Sequence, residues 1–205
     1  MAKRPDVLLF DLGGVLIESA GVPELARLLP APATDAEVAA RWNACAHSDA
    51  FGRGHMADDQ FVERFIADWQ LSVAPDAFRA EYRSWVRGWL PGAEALLEEL
   101  RPHFRLAALS NCNPFHWARL VEDLDLLTRV DDALSSHHLG LRKPDPAIYA
   151  AALDRLQVQA SDVLFFDDAP ANVETARGAG LRAVVVNGPA AVRRHLEEQG
   201  LWPAA

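Results

Sequence analysis

Four runs of consecutive apolar residues punctuate the chain, and each stops at a polar residue. Val7-Leu8-Leu9-Phe10 ends at Asp11, and Arg105-Leu106-Ala107-Ala108-Leu109 ends at Ser110-Asn111. Val163-Leu164-Phe165-Phe166 ends at Asp167-Asp168, and Arg182-Ala183-Val184-Val185-Val186 ends at Asn187-Gly188. A run without polar alternation predicts a strand covered on both faces, as in a buried parallel sheet. A weaker strand is expected over 132–135. Helical spacing fills the gaps. Residues 91–100 carry Leu96, Leu97 and Leu100 on one face, and 114–124 follow the second run. Residues 146–156 open on a proline suited to a first helical position, and 172–179 and 190–199 are followed by Gly180 and Gly200 as stops. Strand and helix alternate, so the expected fold is a doubly wound α/β parallel sheet with right-handed crossovers.

One stretch interrupts the alternation. From Glu18 to Leu90 no strand pattern is evident, only helical periodicity with Trp42, Phe61, Phe65, Trp69, Phe78, Tyr82, Trp85 and Trp89. These aromatics predict the core of an all-helical subdomain. The division expected is therefore 1–17 with 91–205 as the sheet domain, and 18–90 as an insertion after the first strand. Such an insertion stands over the carboxyl edge of the sheet, where open α/β sheets bind ligands. The stretch 48–55 within it reads as a turn-rich loop from which Arg53 and His55 could meet a ligand. No repeat, low-complexity tract or long linker is present.

Composition narrows the function. At 205 residues, 50% hydrophobic and 24% charged, the sequence is that of an ordinary globular protein. It has no apolar run near the roughly 20 residues that cross a bilayer and no secretory leader pattern, so a cytoplasmic location without membrane association is expected. Two cysteines, Cys45 and Cys112, are too few for a disulfide framework and are expected to be reduced thiols. A net charge of −9 without a basic stripe argues against nucleic acid as a partner. Monomer and homodimer are both compatible with the sequence.

The candidate chemistry lies where strands end. Asp11, Ser110 with Asn111, Lys143, and the pair Asp167-Asp168 come from distant segments, but the fold would gather them at one edge. A phosphate monoester dianion repels an incoming carboxylate, so such a site must supply positive charge. Asp11 and Asp168, with the carbonyl of Gly13, offer hard oxygens for Mg2+, and Asp167 could hold a metal-bound water. Lys143 adds a point charge beside Asp11 and the phosphoryl group, while Ser110, Asn111 and nearby amides donate hydrogen bonds. Asp11 would be the nucleophile.

These segments resemble the four motifs of the haloacid dehalogenase-like (HAD) hydrolases. Phe10-Asp11-Leu12-Gly13-Gly14-Val15-Leu16 is similar to the first motif and Leu109-Ser110-Asn111-Cys112-Asn113 to the second. Leu141-Arg142-Lys143-Pro144-Asp145-Pro146-Ala147-Ile148-Tyr149 is similar to the third, and Phe165-Phe166-Asp167-Asp168-Ala169-Pro170-Ala171-Asn172-Val173 to the fourth. The second and fourth look most like the glucose-1-phosphatase-like and epoxide-hydrolase N-terminal branch. The resemblance covers essentially the whole chain. It implies a Rossmann-like core with a helical cap, Mg2+ as cofactor, and a small phosphorylated metabolite as substrate, with a sugar phosphate among the candidates. A phosphoacceptor receiver domain also carries Asp, Ser/Thr and Lys at strand ends, but its acidic pair comes first rather than last.

In one place the sequence departs from the resembled pattern. Most phosphatases of the family carry a second aspartate two residues after the nucleophile, as general acid and base. Here that position is Gly13. A slow enzyme, a substrate with a good leaving group, or a substitute acid among Glu18, His47, His55 and His116 would each accommodate this. Asn113 and His116 could also face substrate, whereas His137 and His138 read as surface residues. Two other readings stand beside the phosphatase: a 2-haloacid dehalogenase-type hydrolase, which needs no divalent cation, and a catalytically weak binding or regulatory protein that keeps the fold. A phosphomutase is less compatible with Gly13.

Overall fold

A computed structural model describes residues 4–203. Its strands are β1 (Val7–Phe10), β2 (Ile17–Ser19), β3 (Val86–Trp89), β4 (Arg105–Ser110), β5 (Asp132–Ser135), β6 (Val163–Asp167) and β7 (Arg182–Val185). A five-stranded sheet runs in the order β5-β4-β1-β6-β7, with every pairing parallel. The chain builds outward from β1 through β4 to β5, then returns to the other side of β1 for β6 and β7. That reversal makes the switch point at which α/β sheets open a crevice.

The apolar runs are explained by what covers them. Leu8, Phe10, Leu106, Ala108, Leu164 and Phe166 enter one hydrophobic cluster, while Val7, Leu9, Ala107, Leu109, Val163 and Phe165 enter a second. Successive side chains alternate between two buried faces, so neither face needs polar residues. Helices α6 (Ala93–Leu100), α7 (Pro114–Ala118), α8 (Leu126–Arg129), α9 (Ser136–Leu139), α10 (Pro146–Leu156), α11 (Pro170–Gly178) and α12 (Pro189–Glu198) accompany the sheet in the order of the sequence. Helix α6 starts at Ala93 rather than 91 because Gly92 takes a left-handed conformation, φ 84°, which breaks helical continuity ahead of it. Helices α11 and α12 each begin on a proline, one or two residues earlier than expected. The helix expected over 114–124 is a short α-helix that widens into a π turn, Arg119–Asp123, seating Leu120 in the first cluster.

Helices α1 (Gly21–Leu28), α2 (Asp35–Asn43), α3 (Ala46–Gly52), α4 (Asp58–Trp69) and α5 (Pro75–Ser84) form the intervening unit. Its core is the third cluster, with Leu25, Phe51, Phe61, Phe65, Trp69, Phe78, Tyr82 and Trp85 buried together. Three expectations change here. The segment is not all-helical: β2 and β3 pair antiparallel, with Ile17 opposite Trp89. Glu18 and Ser19 are exposed on a three-residue strand, which is too short and too polar to leave a period-two signal. Trp89 leaves the aromatic cluster for the sheet's core, and its indole N–H donates to the Leu124 carbonyl at 3.2 Å. Residues 48–52 of the expected loop belong to α3, because Phe51 is fully buried against Phe61, ring centroids 3.9 Å apart, and only 53–55 stay outside a helix.

One core helix crosses into this unit. Phe115, at the start of α7, packs against Phe51 at 5.2 Å and Tyr82 at 6.3 Å, and the His116 ring stacks on Tyr82 at 4.7 Å.

Candidate active site

Parallel pairing of β1 with β6 sets Phe10 beside Phe166, so Asp11 and Asp167 leave neighbouring strands at the same level. The Asp11 N–H donates to the Phe166 carbonyl at 2.8 Å, which ties the turn down. Lys143 arrives on the connection between α9 and α10. Its backbone is held in both directions by Asn111: the Asn111 amide donates to the Lys143 carbonyl, and the Lys143 N–H donates to Asn111 Oδ1, each at 2.9 Å. The buried ammonium then lies 3.0 Å from Asp11 Oδ1 and 2.7 Å from Asp167 Oδ2. Strand ends and a loop latch thus place one cation between two carboxylates.

Asp167 is the most enclosed of these groups, at 0% exposure. Its Oδ1 accepts from Ala169 N and Asn172 Nδ2, both at 2.9 Å, and its Oδ2 accepts from Lys143 and, at 3.1 Å, from Asn172. Both oxygens are therefore engaged by protein donors, which suits anchoring Lys143 better than holding a metal-bound water. Asp168 faces outward, and one carboxylate oxygen from each of Asp11, Asp167 and Asp168 falls within a common 4.8 Å span. Gly14 allows this approach. It takes φ 71°, and a Cβ there would overlap Asp168 Oδ2 and lie 2.9 Å from Asp168 Cγ.

Burial pushes the Asp11 carboxyl up to about 6; Asp167 reinforces the shift, while Lys143 and the Leu12 N–H, 2.7 Å from Oδ1, oppose it. Asp168 is also raised, by burial first and then by Asp167. Crowded acids that resist ionisation are what a cation would relieve.

The remaining candidates fall in different places. Ser110 is buried at the end of β4, in the strand next to β1. The Asn111 amide is spent on the Lys143 loop. Asn113 caps α7 by accepting from the His116 N–H at 3.1 Å, and its amide reaches the Tyr82 hydroxyl at 3.3 Å. Burial holds His116 down at about 4, and its Nε2 lies 2.8 Å from the Tyr82 carbonyl, so it is a poor proton donor at neutral pH. His47 contacts Asp68 within the helical unit. Arg53 pairs with Asp49 at 2.8 Å. Glu18 and His55 are exposed. A Cβ placed on Gly13 would meet nothing within 4 Å, so a side chain can start there without a clash.

A cavity of about 260 Å³ lies between the helical unit and the sheet domain. Ser48, Tyr82, Asn113, His116 and Arg142 contribute polar walls beside Asn111, whereas Asp11 and Lys143 are not part of its lining. Ser48 Oγ is buried there without a hydrogen-bond partner.

Three contributors escaped sequence reasoning. Asn172, five residues past Asp167, was visible as a polar residue on the inner face of its helix. Ser136 accepts from the Cys112 N–H at 2.9 Å and donates to the Gly52 carbonyl at 2.6 Å, joining the two units. His137 is half-buried, not a surface residue: its Nδ1 donates to the Cys112 carbonyl at 2.8 Å. No local pattern announces these last contacts, which depend on the packing of distant segments.

A family model for haloacid dehalogenase-like hydrolases matches residues 5–180. A phosphatase of Mycobacterium tuberculosis is 34% identical over 65% of this chain and 67% of its own length. Phosphoglycolate phosphatase of Rhodospirillum rubrum is 34% identical over 66% of this chain, a match spanning about half, 54%, of that protein. Among solved structures, a HAD family enzyme of Bacteroides thetaiotaomicron, crystallised with magnesium and inorganic phosphate, aligns with TM-score 0.75 at 19% identity. The alignment covers 88% of this chain and 93% of that one. The shared feature at that identity is the fold. Among the described residues, no helix is long and apolar enough to cross a membrane.

Proposed function

Because the chain belongs to the haloacid dehalogenase-like hydrolases, we propose that it is a Mg2+-dependent phosphatase that takes the phosphoryl group of a small metabolite monoester onto Asp11. The observation that carries this reading is the Lys143 ammonium bridging Asp11 and Asp167, with Asp168 beside them, at the switch point of the sheet. Lys143 and the Leu12 N–H fix the orientation of the Asp11 carboxylate. Asp167 and Asn172 in turn fix Lys143. A carboxylate oxygen of Asp11 forms the new bond to phosphorus as the ester P–O bond breaks, and the alkoxide takes its proton from solvent. Water then displaces Asp11 from the acyl phosphate, releasing inorganic phosphate.

The donor set fits a hard cation. Asp11 and Asp168, with the Gly13 carbonyl, offer only oxygen, and the bare Cα of Gly14 leaves room for the Asp168 carboxylate. Mg2+ held there would offset the negative charge of the phosphate dianion and lower the repulsion that Asp11 meets. Residues 18–90 act as a cap, and the cavity beside Asn111 receives the leaving group. Gly13 supplies no proton, which favours substrates whose leaving group departs as a weak base, such as sugar 1-phosphates and acyl phosphates.

Phosphate release from a monoester panel with Mg2+, compared with Asp11→Asn, is the direct test. EDTA should abolish it. Absence of release above the Asp11→Asn background would remove the phosphatase reading, and halide release from a 2-haloacid in EDTA would put the dehalogenase in its place.

A further inference from the structure

A second group of metal-ligating side chains lies within the helical unit, apart from Asp11 and its partners. Cys45 is the residue that caps α3, His47 is in the first turn of that helix, and Asp68 is in the last turn of α4. Cysteine sulfur, an imidazole nitrogen and a carboxylate oxygen of these residues lie within 4.8 Å of one another. His47 Nδ1 is already in contact with Asp68 Oδ2. A cavity of about 330 Å³ adjoins them, with Arg41, Ala44 and Trp69 in its walls.

We propose that Cys45, His47 and Asp68 bind a divalent cation of the Zn2+ class. Hard Mg2+ avoids thiolate, whereas sulfur, imidazole and carboxylate together suit Zn2+ or Co2+. Zinc bonds of about 2.0–2.3 Å require ligand atoms roughly 3.3–3.8 Å apart, so the trio closes by side-chain shifts of about 1 Å. All three residues retain some exposure, which leaves their rotamers free to make that shift. Three protein ligands leave a fourth position for water from the cavity. Asp68 sits at the negative end of the α4 dipole, where a carboxylate gains from a bound cation. Binding displaces the thiol proton of Cys45 to solvent, and the thiolate and carboxylate together balance the two positive charges. The occupied site is therefore neutral, one unit more positive than the empty one, beside Arg41, whose guanidinium donates to the Asp68 carbonyl at 2.5 Å and stacks over Trp69.

The ion would staple the start of α3 to the end of α4. The same α3 presents Ser48 and Gly52 to the cavity near Asn111.

Titration of the chelator-treated, full-length protein with Co2+ in excess Mg2+ tests this without reference to catalysis. One equivalent should produce a thiolate-to-cobalt charge-transfer band, which Zn2+ then abolishes by displacement. Cys45→Ser, His47→Ala and Asp68→Asn should each lose the band while keeping the parent's circular dichroism, and Cys112→Ser should retain it. No band in the parent, or a band that persists in Cys45→Ser, overturns the proposal. The carboxylate site around Asp11 has no thiolate and gives no such signal, so failure here leaves the phosphatase reading untouched.

Discussion

Installing the missing acid is the most demanding test of the site. Gly13 lies two residues past Asp11, its φ is outside the left-handed region, and a Cβ there has no neighbour within 4 Å. Gly13→Asp therefore introduces no clash at Cβ, and loss of glycine's unfolded-state freedom should shift stability by less than about 1 kcal/mol. If the new carboxyl reaches Asp11, Asp167 and Asp168, like charge favours its protonated form, the state a general acid needs. General acid–base help contributes about 10²–10⁴-fold. An acid added to an unprepared site belongs at the lower end, about 10²-fold, or about 2.7 kcal/mol of barrier. The gain should appear with alkyl phosphates, whose leaving group needs a proton. Turnover of p-nitrophenyl phosphate, whose leaving group departs unprotonated, should change by less than about threefold. Steady-state kcat for both substrates at saturating Mg2+ is the assay. Equal changes for the two, or none for the alkyl ester in a folded, Mg2+-binding variant, would refute the assignment of Gly13 as the vacant acid position.

Other outcomes follow from the same geometry. In the proposed mechanism Asp11 must be ionised to attack, so at limiting Mg2+ the kcat/KM profile should fall below about pH 6 and shift to lower pH as Mg2+ saturates; a limb indifferent to Mg2+ would count against Asp11 as a ligand. Native Asp11 holds its proton more tightly than the unfolded chain does, so its contribution to stability is full below about pH 4 and lost as pH rises to about 6. In the absence of metal, Asp11→Asn should thus be up to about 3 kcal/mol more stable than the parent at pH 8 and equal to it below pH 4, as thermal melts at both pH values would reveal. Lys143→Met leaves two buried carboxylates facing each other and should cost about 3–5 kcal/mol in urea unfolding, with activity abolished. Gly14→Ala forces a Cβ against Asp168 at positive φ, and calorimetric titration should record weakened Mg2+ binding together with about 1–2 kcal/mol of lost stability.

The sheet was legible because its strands are covered on both faces: an unbroken apolar run such as Val7–Phe10 allows few other structures. Asp11 and Asp167 were legible for the same reason, since the end of such a run marks the sheet's edge. Side-chain partners were less so. The bond from Asn111 to the Lys143 backbone is not legible, because a polar residue after a strand is ambiguous until the chain supplying its partner is known, and that chain is 32 residues away. β2 and β3 were hidden by brevity, and α3 by Gly52 and Gly54, which read as turn formers although one closes the helix and the other lies beyond it. The Ser136 contact with Gly52 joins positions 84 apart, a relation no local period encodes.

The insertion of Phe115 and His116 among the aromatics of the helical unit has a consequence for how the protein can be taken apart. The interior of that unit is completed by a residue that the chain delivers only after β4, so the segment synthesised alone would expose rings that Phe115 normally covers. Excising it would in turn strip α7 of its cover and disturb Asn113 at its start. Each piece alone would lose part of its packing, so melting should proceed as one transition shared by both.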